Sequence, residues 1–185
     1  MNWTIAPGRA LRGEARVPGD KSITHRALLL SALGTGPARV SHYLNGGDCR
    51  ATIGCLRSLG VSIADHTPGE LHIQGVGLRN LAEPAGVLDC VRSGTAMRLL
   101  AGVLAGQQLF AVLSGDEQLL RRPMSRIVQP LATMGAQIWG REHNRYAPLA
   151  IQGTGLKGVS HRLTVASAQV KSAILLAGLY AEGET

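Results

Sequence analysis

Leu71-His72-Ile73-Gln74-Gly75-Val76-Gly77-Leu78 returns 78 residues later as Leu149-Ala150-Ile151-Gln152-Gly153-Thr154-Gly155-Leu156. A second echo supports the first: Leu56 with Leu59-Gly60-Val61 returns 75 residues later as Leu131 with Met134-Gly135-Ala136. A period of about 75 residues exceeds the roughly 20–50 of solenoid repeats. Each copy is therefore predicted to be a small layered unit rather than a solenoid rung.

Working outward from the echo, the first copy reads as a strand over residues 12–17 and a helix from the Pro18-Gly19 turn to about 33, ended by Gly34-Thr35-Gly36-Pro37. A strand over 38–44 follows, then a turn at Asn45-Gly46-Gly47-Asp48 with Asp48 capping a second helix that ends at Leu59-Gly60. Segments 61–64 and 71–74 alternate as a hairpin. The second copy repeats the order: strand 87–91, helix 93–105, strand 109–113, helix 123–134, and the echoed hairpin strand. A third begins with a strand over 163–165 and a helix over 168–179. The fold class is thus α/β, built of repeated βαβαββ units in an incomplete set. No linker-like stretch divides the chain, so one domain is expected, cut short within its third unit.

The chain has 185 residues, 45% of them hydrophobic but only 3% aromatic, with a formal charge of +7. Scarce aromatics and singly scattered cations weigh against nucleic acid as a partner, whereas an acidic small substrate accounts for the charge. Cys49, Cys55 and Cys90 lack metal spacing and read as reduced, buried thiols of a cytoplasmic protein. No apolar run approaches the ~18 residues of a membrane span, and the start has no leader pattern. A soluble, untargeted protein is expected.

The first helix opens with Pro18-Gly19-Asp20-Lys21-Ser22-Ile23-Thr24-His25-Arg26. Ser22 is expected to cap it. Lys21 then opposes the partial positive charge of the helix N-terminus, a cost of roughly 0.3–1 kcal/mol unless an anion intervenes. Helix N-termini bind anions, and Ser22 and Arg26, four apart on one face, can join Lys21 on one ligand. Superposing the copies puts Ser22, Ser93 and Ser167 at equivalent helix starts, with Lys21 and Arg92 as cations in the first two. Arg121-Arg122 precede a further helix that has Pro123 in its first turn. Three starts with cations set against the dipole point to a surface that meets an anionic ligand.

A phosphate-cleaving loop is excluded, because glycines would be needed one and six residues before Lys21, where Asp20 and Ala15 stand. The six histidines, His25, His42, His66, His72, His143 and His161, show no nucleophile elbow or paired spacing. Each reads as a surface or core-edge residue. Asp20, Asp48, Asp116 and Glu117 read as turn and cap residues.

Residues 18–26, Ser93-Gly94-Thr95-Ala96-Met97-Arg98, Arg121-Arg122-Pro123-Met124 and Ser167-Ala168-Gln169-Val170-Lys171-Ser172-Ala173 resemble, in order and spacing, the 5-enolpyruvylshikimate-3-phosphate synthases. The resemblance runs from about residue 5 to 185 and implies the N-terminal part of an enolpyruvyl transferase with no C-terminal domain. It allows residues 1 to about 15 to belong to the second domain of a full-length enzyme. It implies an inside-out α/β barrel, two domains of three βαβαββ units each, with helix N-termini facing the cleft between them.

The implied reaction transfers the enolpyruvyl group of phosphoenolpyruvate to the 5-hydroxyl of shikimate 3-phosphate and releases phosphate. It serves aromatic amino acid biosynthesis, is a target of glyphosate, and uses no metal or organic cofactor. By resemblance Lys21 is catalytic and touches both substrates. Ser22, Arg26, Ser167 and Gln169 hold shikimate 3-phosphate; Gly94, Arg122 and Gln169, with Lys21, line the phosphoenolpyruvate site. A monomer acting on small molecules, with no nucleic-acid or membrane partner, is implied. The family's acid-base carboxylates fall outside this stretch, so the fragment alone is expected to bind substrate without turnover. Arg92 and Ala168 depart from the family's usual Asn and Ser. The sister UDP-N-acetylglucosamine enolpyruvyl transferases usually have Lys-Asn where Lys21-Ser22 stand, and a catalytic Cys that the stretch 114–124 lacks. They, and a non-catalytic anion-binding module, are the alternatives.

Overall fold

The structure, a computed structural model, describes residues 2–4, 6, 8, 10, 12–163 and 166–185, with only the backbone of His66 and Thr67. The first unit contains α1 (Lys21–Leu33), β1 (Pro37–Ser41), α2 (Gly47–Ser58), β2 (Ser62–Thr67) and β3 (Glu70–Gln74). The second contains β4 (Leu88–Asp89), α3 (Gly94–Leu104), β5 (Phe110–Ser114), a short α4 (Glu117–Leu120), α5 (Ser125–Thr133), β6 (Gln137–Gly140), a distorted turn α6 (Arg141–Asn144) and β7 (Tyr146–Gln152). The last helix is α7 (Ala168–Gly178).

The two sheets repeat one topology. The first has the order β1-β3-β2 and the second β4-β5-β7-β6, so β5, β7 and β6 take the places of β1, β3 and β2. The echoed strands fill equivalent positions: Ile73 pairs with Ala38, and Ile151 with Ala111. Both isoleucines are buried.

The echoed glycines have physical reasons. Gly75 follows β3 where the chain presses on the end of α1, and a Cβ there would stand 2.3 Å from the carbonyl oxygen of Gly34. Gly153 does the same after β7, where a Cβ would overlap the carbonyl of Gln107 beyond α3. Gly60 (φ +86°) and Gly135 (φ +97°) end α2 and α5 in the left-handed region that favours glycine. In both, the glycine N–H returns to the third carbonyl back (Arg57, Ala132) and the next N–H to the fifth (Leu56, Leu131), which closes the helix by a Schellman motif.

Every residue of α3 is buried, because it lies against α7, α2 and α1 while its sheet covers another side. At Gly102 α3 meets α7 so closely that a Cβ would stand 2.3 Å from the carbonyl oxygen of Ala173.

Four expectations need correction: α5 starts at Ser125 with Met124 as its N-cap, so Pro123 lies before that helix rather than in its first turn, and the other three concern the first unit. Residues 12–17 form no strand, because Arg12, Gly13, Glu14 and Arg16 leave no apolar face to bury and Val17 is 69% exposed. The cap of α1 is Asp20, whose carboxylate accepts from the Ile23 N–H at 2.7 Å, and Ser22 lies within the first turn. Asp48 is likewise inside the first turn of α2, whose N-cap is Gly46. The strand expected over 163–165 falls partly outside the described residues.

Candidate anion-binding site at converging helix starts

The caps set the register of the helix starts. Asp20, Ser93 and Ser167 are the N-caps of α1, α3 and α7, each accepting from the backbone N–H three residues on. Lys21 is therefore equivalent to Gly94 and Ala168, and Ser22 to Thr95 and Gln169. The superposition expected from sequence is off by two residues in the first unit, so Lys21 and Arg92 do not correspond.

Three of the four expected cations are paired locally with carboxylates. Arg92 Nε donates to Asp116 at 2.7 Å, and Arg121 pairs with Glu117; all four groups lie toward solvent. The carboxyl of Asp116 is held below its usual range, first by the Leu119 N–H it caps and then by Arg92. Lys21 Nζ lies 3.0 Å from Asp48, a link between the first turns of α1 and α2 that leaves the Lys21 side chain 49% exposed. Arg122 is different: among the described residues its side chain makes no ion pair or hydrogen bond.

Side chains tie the helix starts together. Arg26 donates to the Ser22 carbonyl on its own helix (2.9 Å) and to Ser172 Oγ on α7 (2.7 Å). Gln169 on α7 accepts from Arg98 Nη1 (2.6 Å) and donates to Thr95 Oγ (3.0 Å), both on α3. Gly94 lies under two guanidinium groups, since a Cβ there would stand 2.7 Å from Arg98 Nη1 and 3.3 Å from Arg122 Nη1. Lys21, Ser22, Arg26, Gly94, Arg122, Ser167 and Gln169 thus belong to one end of the helix layer. Apart from Gly94 they offer donors that suit phosphate or carboxylate.

Sequence reading missed Arg98, Thr95, Ser172 and His25. Arg98 is 5% exposed and its pKa is lowered to about 10, first by burial and then by Arg126 and Arg122. A signal for it exists in the sequence: it is the lone charge in the apolar helix α3. His25, read as a surface or core-edge residue, is instead fully buried in the core, with Nδ1 2.7 Å from Thr52 Oγ. Burial lowers its pKa to about 4, with Lys21 and Arg26 adding to the shift and Asp48 opposing it.

The model of the family described as EPSP synthase (3-phosphoshikimate 1-carboxyvinyltransferase) matches residues 5–185. The chain belongs to the EPSP synthase family. Among its relatives, the 3-phosphoshikimate 1-carboxyvinyltransferases of Syntrophotalea carbinolica and Geobacter metallireducens are 55% and 56% identical over the whole chain. The chain spans 43% of the length of each. An EPSP synthase structure from Acinetobacter baumannii matches 92% of this chain and 39% of its own, with a TM-score of 0.89 and 47% identity. The EPSP synthase fold, expected from the repeat and the resemblance, is therefore shown for this part of the molecule. Among the described residues no helix is long and apolar enough to cross a membrane.

Proposed function

We propose that the complete gene product carrying these residues transfers the enolpyruvyl group of phosphoenolpyruvate to the 5-hydroxyl of shikimate 3-phosphate. The hydroxyl gives up its proton as its oxygen adds to C2 of phosphoenolpyruvate while C3 gains a proton, and the tetrahedral adduct then expels phosphate from C2 as C3 gives up a proton and the C2=C3 double bond re-forms. The observation that carries the reading is the convergence of the α1, α3 and α7 starts, tied by Arg26–Ser172 and Arg98–Gln169, with Arg122, unpaired among the described residues, beside Gly94.

In this reading Ser22, Arg26, Ser167 and Gln169 hold shikimate 3-phosphate. Arg122 grips phosphoenolpyruvate against the bare backbone of Gly94, with Gln169 reaching it. Lys21 lies between the two anions, exchanging Asp48 for substrate. These groups are donors, so their contribution is to bring two anions together and to stabilise charge on the adduct. Each charge-assisted hydrogen bond to such a ligand contributes roughly 1.5–3 kcal/mol. A cytoplasmic monomer, acting on small molecules rather than on nucleic acid or membranes, completes the proposal; the three unpaired, buried thiols support a reducing compartment.

The test is phosphate release by the complete gene product. The expected result is release that requires both phosphoenolpyruvate and shikimate 3-phosphate. Release with UDP-N-acetylglucosamine in place of shikimate 3-phosphate would move the protein to the sister activity. Anion binding without release would leave a binding module.

A further inference from the structure

Arg98 is buried and has no carboxylate partner among the described residues. Its Nη1 donates to Gln169 Oε1 at 2.6 Å and more weakly to the Gly94 carbonyl at 3.4 Å, and its Nη2 to the Pro123 carbonyl at 3.2 Å. Its Nε is buried without a partner. The nearby Arg122 and Arg126 make the charge costlier still. A group kept there against local electrostatics supplies something a neutral side chain could not.

The chemistry of the Gln169 amide shows what that is. An amide has an accepting end and a donating end, and either could face Thr95, because a hydroxyl both donates and accepts. A guanidinium only donates. Arg98 therefore decides the flip: Oε1 must face it, and the NH2 must face Thr95, as found. One N–H of that NH2 is used on Thr95 and the other remains. Reversed, the amide would offer its carbonyl oxygen to an anionic ligand and repel it.

We propose that Arg98 is a positioning residue that fixes the Gln169 amide so that its remaining N–H donates to the anionic substrate. This rests on the functional reading above, in which Gln169 touches phosphoenolpyruvate. Arg98 itself need not touch the ligand.

The test uses steady-state kinetics and thermal melts of the complete gene product carrying Arg98→Gln, Arg98→Lys and Thr95→Val, each with Gln169 intact or changed to Ala. Glutamine at 98 can itself flip and so cannot enforce the orientation; lysine, a pure donor, can. The expected result is a KM for phosphoenolpyruvate raised about tenfold by Arg98→Gln and partly rescued by Arg98→Lys, with kcat changing less. In the Gln169→Ala background both changes should cost less than about twofold, since nothing is left to orient. Thr95→Val, which leaves Arg98 in place, should shift KM by less than about threefold and keeps the test open if the Arg98 variants do not fold. Equal effects of Arg98→Gln in both backgrounds, lysine no better than glutamine, or a tenfold effect of Thr95→Val would each overturn the role. Absence of transfer by the unaltered protein would instead overturn the reading beneath it.

Discussion

Lys21 stands at the first turn of α1 with its ammonium 3.0 Å from Asp48, half exposed. An exposed ion pair of this kind contributes about 0–1 kcal/mol, so Lys21→Met should change stability by no more than that. If Lys21 bridges two anions, the same change in the complete gene product should lower kcat/KM at least ~100-fold, the equivalent of about 3 kcal/mol. A melt and a rate on one sample decide between the roles: a moved melt with an unmoved rate makes Lys21 structural. Gly94→Ala adds a methyl 2.7 Å from Arg98 Nη1, part of a guanidinium whose three hydrogen bonds keep it from moving aside as the exposed Arg122 can. Overpacking of this kind costs about 1–3 kcal/mol. The expected outcome in the complete gene product is a KM for phosphoenolpyruvate raised about tenfold or more, glyphosate inhibition weakened by a larger factor because that ligand is longer, and little change for shikimate 3-phosphate. Equal weakening of all three would point to a damaged helix start. His25 supplies a pH dependence. The unfolded chain takes up a proton near pH 6.5 that the folded chain refuses until about 4, so stability present at neutral pH is lost as pH falls through that window, by at most about 1.4 kcal/mol per pH unit. Urea midpoints between pH 7.5 and 4.5 should fall less steeply in His25→Gln than in the unaltered chain; parallel slopes would remove His25 as the cause.

At the scale of elements, two helical glycines should respond oppositely to alanine. Gly54 lies on the exposed face of α2, where an added Cβ would meet nothing within 4 Å. Gly54→Ala should therefore stabilise by roughly 0.5–1 kcal/mol. Gly102→Ala would instead drive α3 and α7 apart against a backbone oxygen and should destabilise by about 1–3 kcal/mol or more. Because Gln169 rides on α7 and Arg98 on α3, Gly102→Ala in the complete gene product should also lower activity, whereas Gly54→Ala should not. Denaturant melts with rates on both variants check this, and equal signs of the two stability changes would contradict it. Local chemistry explains which elements are legible in the sequence. The Leu59-Gly60 and Met134-Gly135 endings of α2 and α5 write a Schellman motif directly into it. The helix start at residue 20 is ambiguous there because Asp20 and Ser22 are both good caps; the register goes to Asp20, whose carboxylate reaches the Ile23 N–H at 2.7 Å. Residues 12–17 could not form a strand without an apolar face.

At the scale of the whole molecule, the repeat is readable because both copies meet the same close approach after their last strand, so Gly75 and Gly153 recur. The long-range ion pairs are not readable. Lys21 and Asp48 are 27 positions apart, and Arg92 and Asp116 24, so only the packing of successive elements brings them together. That is why a count of cations against helix dipoles overstates the free charge, while Arg122 stays unpaired among the described residues. Arg98 sits inside a motif that the sequence displays, yet its role is hidden there, because burial without a counter-ion is a property of the fold. The central claim is that converging starts of α1, α3 and α7 form an anion-binding half-site within residues 1–185. Calorimetry of this chain tests it most directly, first with shikimate 3-phosphate and then with phosphoenolpyruvate added, beside Arg26→Ala and a phosphate-release assay. The expected result is weak, saturable one-to-one binding of shikimate 3-phosphate that Arg26→Ala abolishes, with no phosphate released. Absence of binding heat, binding indifferent to Arg26, or phosphate released by this chain alone would contradict the account.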